Sequence, residues 1–570
     1  MAAPNLDWKQ IAAAKKVQQG LTIPKEWIIK DLPSKETLNV VDIPETCGIL
    51  TPKEIQITTS SVSLLLKNLA EAVWSSVEVT TAFAKRAVIA HQLVNCLTEV
   101  FIERALERAA QLDEILKSTG KVVGPLHGLP VSLKDQFHIK DIETTMGYVS
   151  WVGKKPTRNS VLVDILEASG AVLYVKTNVP QTLMWLESFN WVFGRTTNPW
   201  NRSLTAGGSS GGEGALLALK GSPLGVGTDV AGSIRIPAAF NGLYGLRPSI
   251  GRVSFAGNVT CLEGHDGLPL VVGPLAPSIE ALKVFMKSVA EKKPWIIDSL
   301  TIRKPWNEQE YNLVDHGGKG GKLCFAIMWD DQFVRPHPPV VRGLMETKKA
   351  LLAAGHSVVD WVPQVKHIDL IAAIGAMWAA GAMQDFIEAV APSNEPIIKS
   401  MKLEGEDPAY VPDDIPGFRL SEGMPAYELW KHQKKRQDLR QEYLEHWNAT
   451  VSATGTGRPV DAIISPCAPF VAPPHGGSTY INYMGVWNAL DYVALTIPTG
   501  LSVDPKLDVP VARQDFFNDL DKANHELYNP QLYRNAPIGI QVVGRNLEEE
   551  AVLAMGGIVD EALKAYLSTA

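Results

Sequence analysis

Residues 206–237 read AGGSSGGEGALLALKGSPLGVGTDVAGSIRIP, with nine glycines in this one stretch. Glycine at this density lets the backbone approach a ligand closely and adopt positive φ. It also turns runs of N–H groups inward as a nest for an anion or an oxyanion. The stretch is not a flexible linker, because the glycines flank the helix formers of Gly212–Lys220 and the apolar Leu224–Val226. Ser209, Ser210 and Ser233 lie in its glycine-bearing loops. Gly207-Gly208-Ser209-Ser210-Gly211 fits the GxSxG spacing of a nucleophile elbow. That device requires a preceding strand, and Asn198–Ser203 reads as a turn. The elbow reading is therefore set aside.

Outward from this stretch, helix, glycine and strand alternate. Ser75-Ser76-Val77-Glu78 predicts a capping box that starts a helix running to about Val94. A second helix is expected from about Phe101 to Lys117, stopping before Gly120, and Leu129–Leu133 reads as a strand leading into Lys134-Asp135. A helix near Ser160–Ala168 ends at Gly170, before a buried strand at Ala171–Val175. Asp461–Ile464 and Ile538–Val543 read as late strands, and Leu547–Tyr566 as a closing helix. Such repetition predicts an α/β fold: a large mixed, mostly buried central β-sheet flanked by α-helices. Residues 1–60, broken by Pro24, Pro33, Pro44 and Pro52, read as an N-terminal helical arm; 61–570 reads as one catalytic domain. Segments 292–320 and 393–425 are rich in Pro, Gly and charge and read as surface excursions.

Composition narrows the class of partner. The 570 residues carry 54 Lys and Arg against 61 Asp and Glu, a formal charge of −7. Without a basic block, neither nucleic acid nor an anionic membrane is expected as a partner. The five cysteines are scattered and odd in number, so neither a disulfide framework nor a zinc site is expected. No HExxH or phosphate-loop spacing occurs, and no metal or cofactor is called for. Asp7, Lys9 and Gln10 interrupt the first residues before any apolar run, unlike a signal peptide. The weakly apolar run Leu370–Met383 is too short to span a bilayer, which takes about 20 residues. It reads as a buried helix or a pocket wall, and a cytoplasmic protein is expected.

The ordered sequence Gly225-Val226-Gly227-Thr228-Asp229-Val230-Ala231-Gly232-Ser233-Ile234-Arg235-Ile236-Pro237, after the GGSSGG loop, closely resembles the core of the amidase signature family. Further matches are Gly124–Pro130 with Ser132-Leu133-Lys134-Asp135, Thr144-Thr145-Met146-Gly147, Lys176–Gln181, Gly242–Pro248 and Ala536–Gly544. The resemblance covers roughly 60–570. The arm, with Thr22–Trp27 and Cys47–Leu50, extends it toward the family's fungal acetamidases and general amidases.

The resemblance implies a Ser–Ser–Lys triad: Ser233 as nucleophile, Ser209 as bridging serine after a cis peptide, and Lys134 as base. A serine hydroxyl is a weak nucleophile and needs a base beside it. Lysine serves as that base only when neutral, a state that burial favours. The backbone N–H groups of Val230, Ala231, Gly232 and Ser233 are the expected oxyanion donors. Ala231 stands where many family members have Gly, which matters only if that residue needs positive φ. Thr228 and Ser210 are expected to support the hydroxyl network, and Asp229 and Arg235 to pin the nucleophile loop.

By family position Met146, Gly147, Leu183, Met184 and Leu186 border the substrate, with Met377 and Trp378 as candidate acyl-pocket walls. None is charged, so a small neutral carboxamide, aliphatic or aryl, is the expected substrate. Two alternatives share the signature: the transamidation subunit of a tRNA-dependent amidotransferase, and a non-catalytic binding protein on the same scaffold. The arm is suited to wrapping a second copy, so a homodimer is one arrangement the sequence allows.

Overall fold

The computed structural model describes residues 7–260, 262–402 and 423–569. Cys261 and residues 403–422 of the expected 393–425 excursion lie outside them; in the described part Glu395, Ile398 and Met401 are buried, so it is not a surface excursion throughout.

The helices begin and end where local chemistry dictates. In α1 (Trp8–Leu21) the arm forms its first helix. In α2 (Ser76–Val94) the Ser75 hydroxyl accepts the Glu78 N–H while the Glu78 carboxylate accepts the Ser75 N–H. This reciprocal pair satisfies two orphan amides of the first turn. Asn95, in the left-handed region at φ 55°, ends the helix. Helix α3 (Ile102–Thr119) stops at Gly120, φ 67°, and α4 (Val161–Ala168) precedes Gly170, φ 91°.

Eleven strands form one sheet. They are β1 (Leu97–Val100), β2 (Pro130–Lys134), β3 (Val172–Thr177), β4 (Gly225–Asp229), β5 (Tyr244–Arg247), β6 (Val271–Ala276), β7 (Cys324–Ile327), β8 (Ser357–Asp360), β9 (Ala462–Pro466), β10 (Ala494–Ser502) and β11 (Pro537–Val543). Their order across the sheet is β1-β3-β2-β4-β6-β5-β10-β11-β9-β7-β8. β2 runs parallel to β3 and β4, and β7 parallel to β8 and β9; the other pairs are antiparallel. The expected mixed, buried sheet is therefore present.

Strand alternation divides the core into two layers. Phe325, Ile327, Ile464, Leu495 and Val542 face one layer, packed under α7 (Pro338–Ala353) and α11 (Glu549–Leu567). Their neighbours Cys324, Ala326, Ile463, Ala494 and Val543 face the other. There they meet α8 (His367–Ala379), α9 (Ala426–Ala449) and α10 (Asn482–Leu490). The apolar run at 370–383 thus supplies the buried helix α8. No single helix among the described residues is long and apolar enough to cross a membrane. The 292–320 excursion lies against α11, with Lys304 Nζ 2.9 Å from Glu550.

One expectation is corrected. Asn198–Ser203 is not simply a turn: Thr197–Asn198 and Asn201–Thr205 pair as a short antiparallel ribbon outside the central sheet. Asn198 and Pro199 supply the turn chemistry at its tip, which obscured the flanking strand.

Candidate active site

Three neighbouring pieces of the sheet's parallel region build the site. Lys134 is the last residue of β2. Ser209 and Ser210 form the turn entering α5 (Gly211–Ala218). β4 pairs directly with β2, Ser132 opposite Gly225 and Leu133 opposite Val226, and carries Thr228 and Asp229 at its end. Ser233 follows in the turn from β4 to α6 (Arg235–Asn241). The Ser210 N–H donates to the Ser233 carbonyl at 3.2 Å, which joins the two serine turns. The Gly208–Ser209 peptide is cis.

Hydrogen-bond directions around Lys134 follow from its neighbours. Gln136 Nε2 donates to the Val259 carbonyl at 2.7 Å, which turns Gln136 Oε1 toward Thr228. The Thr228 hydroxyl donates to that oxygen at 2.7 Å. Its own oxygen therefore accepts from Lys134 Nζ, also 2.7 Å away. Lys134 Nζ also lies 2.7 Å from Ser209 Oγ. A neutral amine, with one N–H committed to Thr228, can turn its lone pair toward the Ser209 hydroxyl. Lys134 and Thr228 are fully buried, Ser209 nearly so, and Ser233 is 4% exposed.

The turn carrying Ser233 is fastened by Asp229. Asp229 Oδ1 accepts from the Gly232 N–H (2.7 Å), Arg235 Nη2 (3.0 Å) and Asn488 Nδ2 (3.0 Å). Its Oδ2 accepts from the Ile234 N–H (3.2 Å) and Arg235 Nε (3.0 Å). Arg235 also donates to Asn488 Oδ1 at 2.5 Å and to Gln541 Oε1 at 3.2 Å. Burial pushes the Asp229 carboxyl up, but the facing Arg235 guanidinium and the Asn488 bond outweigh it and hold the group well below the usual carboxylate range. The pair at Asp229 and Arg235 is thus a fully buried clamp.

That clamp engages one amide of the expected oxyanion set, Val230, Ala231, Gly232 and Ser233. The Gly232 amide is aimed at Asp229, so it is engaged by its own turn. Val230, Ala231 and Ser233 make no such bond to Asp229. Ala231 does not adopt positive φ, so its Cβ is accommodated, whereas Gly232 has φ 121°. A Cβ at Gly232 would also sit 2.8 Å from Met484 Cβ.

An apolar cavity of about 410 Å³ adjoins Val230. Leu183 and Met184 line it, with Val253, Phe255, Leu268 and Leu270. Thr182 and Leu183 hold the left-handed conformation, φ 72° and 61°. The other expected pocket residues do not line this cavity. Met146 packs with Tyr148 and Val179, Leu186 with Leu204 and Met484, and Met377 and Trp378 pack in the layer behind Val230. Gly147 lies against Asn190. Met146 shares its cluster with Leu183 and Met184, and Met377 and Trp378 share theirs with Val230. Sequence reasoning also missed Gln136, Val259, Asn488 and Gln541. Of these, Gln136 offered a signal, two residues beyond Lys134, and Gln541 lay inside the matching segment Ala536–Gly544.

Comparison with known proteins places this geometry. The amidase family matches residues 78–553. An acetamidase of Aspergillus oryzae is 41% identical over 98% of this chain and 99% of its own. An acetamidase of Emericella nidulans is 41% identical over 98% of each chain. Among solved structures, a fatty acid amide hydrolase superposes with a TM-score of 0.88 at 33% identity, covering 99% of this chain and 97% of its own. A bacterial aryl acylamidase shares the fold at a TM-score of 0.68 and 19% identity, over 89% of this chain and 98% of its own. By the length of the family match and its near end-to-end relatives, the chain belongs to the amidase signature family.

Proposed function

We propose that the protein hydrolyses small neutral carboxamides through an acyl-enzyme formed on Ser233. The observation that carries this reading is the buried contact of Lys134 Nζ with Ser209 Oγ, beside the turn that presents Ser233. Lys134 takes the Ser209 proton, and Ser209 takes the Ser233 proton as Ser233 Oγ bonds to the amide carbon. The carbonyl electron pair moves onto oxygen, toward the Val230, Ala231 and Ser233 amides. Collapse of the adduct breaks the C–N bond, and the relay run backwards protonates the departing nitrogen. That protonation matters because an amide anion is a very poor leaving group. Water repeats the addition on the acyl-enzyme, releases the acid and restores Ser233.

The apolar walls at Leu183, Met184 and Val230 support a neutral, apolar substituent on the substrate. The acetamidase names of the relatives support a short acyl group. A cytoplasmic location is supported by the free thiols of Cys96, Cys324 and Cys467, and cell fractionation tests it. An amide panel of varied acyl length, read by ammonia release, tests the activity. Ser233→Ala is expected to lower turnover by at least about 10³-fold with the fold retained. Turnover within tenfold of the unmodified enzyme would remove Ser233 from its role.

A further inference from the structure

Among the fully buried acids that the proposed relay leaves unused is Glu213, the third residue of α5. Its Oε2 accepts the Ser132 hydroxyl at 2.6 Å and its Oε1 accepts the Thr177 hydroxyl at 2.9 Å. Both hydroxyls adjoin the lysine. Ser132 precedes Lys134 by two residues on β2, so their side chains leave the same face of the strand. Thr177 is the cross-strand partner of Lys134 on β3. Both hydrogen-bond donors to the carboxyl are neutral. Its titratable surroundings are Lys134 from β2, Tyr174 from β3 and Cys96 from the link between α2 and β1.

We propose that Glu213 is a positioning residue whose buried carboxyl, bonded to both neighbours of Lys134, tunes how readily that lysine takes up a proton. The inference rests on the reading of Lys134 as the base. An ionised Glu213 stabilises the lysine ammonium and weakens the base; a neutral Glu213 leaves the amine available. The two groups titrate as a coupled pair, so each shifts the other. Burial favours the neutral acid: it pushes the Glu213 carboxyl up to about 8, against the pull of the Ser132 and Thr177 bonds and of Lys134. Glu213 also ties the helix that follows Ser209 to Lys134's own strand β2 and to the neighbouring β3. A purely mechanical role would affect rate without moving the pH profile.

The test is the acid limb of kcat/KM against pH for a small carboxamide. Glu213→Gln keeps the volume and cannot ionise; near pH 8, where the carboxyl ionises, it no longer holds the lysine charged, so the upper part of the limb should move down by about 0.5–1 pH unit. Ser132→Ala removes one donor to the carboxylate and should move it the same way by less; it carries the test alone if Glu213→Gln does not fold. Limbs that superpose on that of the unmodified enzyme, whatever the change in plateau rate, would overturn the inference. Lys134→Ala and Ser233→Ala are run alongside. Their retention of turnover would overturn the underlying reading instead, so the two failures are told apart.

Discussion

Asp229 shows how much one side chain does near Ser233. Its carboxylate accepts five hydrogen bonds, from two backbone amides, twice from Arg235 and once from Asn488. Removing one partner of a buried pair leaves the other charge uncompensated, at a cost of about 3–5 kcal/mol. Asp229→Ala should therefore lower the urea midpoint sharply, and the fraction that remains folded should react more slowly with a serine-directed fluorophosphonate. Unchanged labelling in well-folded variant protein would separate the clamp from the nucleophile. At this scale the sequence was most informative where residues are contiguous. Thr228, Asp229, Ser233 and Arg235 lie within one short stretch, while Asn488 and Gln541 hold the same cluster from far along the chain. Nothing local in their sequence distinguishes them from other buried amides.

Among elements, the arm helix α1 reaches into the sheet's edge region through a buried lysine. Lys15 Nζ lies 2.7 Å from Glu99 of β1 and 3.2 Å from Glu143. Glu143 opens the loop that runs through Thr145 to Gly147; Thr145 Oγ1 donates to Asp135, and Lys176 Nζ pairs with Asp135 at 2.7 Å. Gln19 Nε2 adds bonds to the Leu97 and Thr98 carbonyls. Lys15→Met keeps the apolar stem but strands the buried Glu143 and the part-buried Glu99. It should expose α1 to limited proteolysis earlier than in the unmodified protein and cost about 3–5 kcal/mol of stability. Equal cleavage rates would show that the arm docks without help from Lys15, through its apolar contacts and the Gln19 bonds. Helix boundaries were legible because caps are written locally, as at Ser75, Glu78 and Gly120. The docking of the arm was not, because a lysine bound for burial reads like any surface lysine. The strand at Asn201–Thr205 was missed for a related reason: its hairpin partner is only two residues long, and turn residues dominate the segment.

For the whole molecule, buried titratable groups set the pH range of stability. Burial lowers His91 and His337 to about 4 and His367 to about 3. Their stabilising contribution is complete above about 6.5, the unfolded value, and is lost as pH falls toward 4. Burial raises Asp331 to about 6, Glu99 to about 7 and Glu213 to about 8. The native state then binds protons more tightly than the unfolded chain, so stability falls as pH rises from the unfolded carboxylate range toward those values. The two sets oppose each other between about pH 4.5 and 6.5. Urea midpoints should be highest there and decline toward pH 4 and toward pH 8. A midpoint still rising at pH 8 would contradict the assignment of these groups as buried acids. The alternation of helix and strand made the layered α/β architecture legible, but not the strand order, which depends on long-range pairings.

One of those pairings has a temporal side. β11, the last strand in the chain, is not an edge; it sits between β10 and β9, and its Gln541 touches Arg235. A polypeptide emerging from the ribosome therefore presents Lys134, Ser209 and Ser233 about 300 residues before Gln541 can reach Arg235. A chain truncated before β11 should lack both that contact and the strand that joins β10 to β9, although it contains the whole signature.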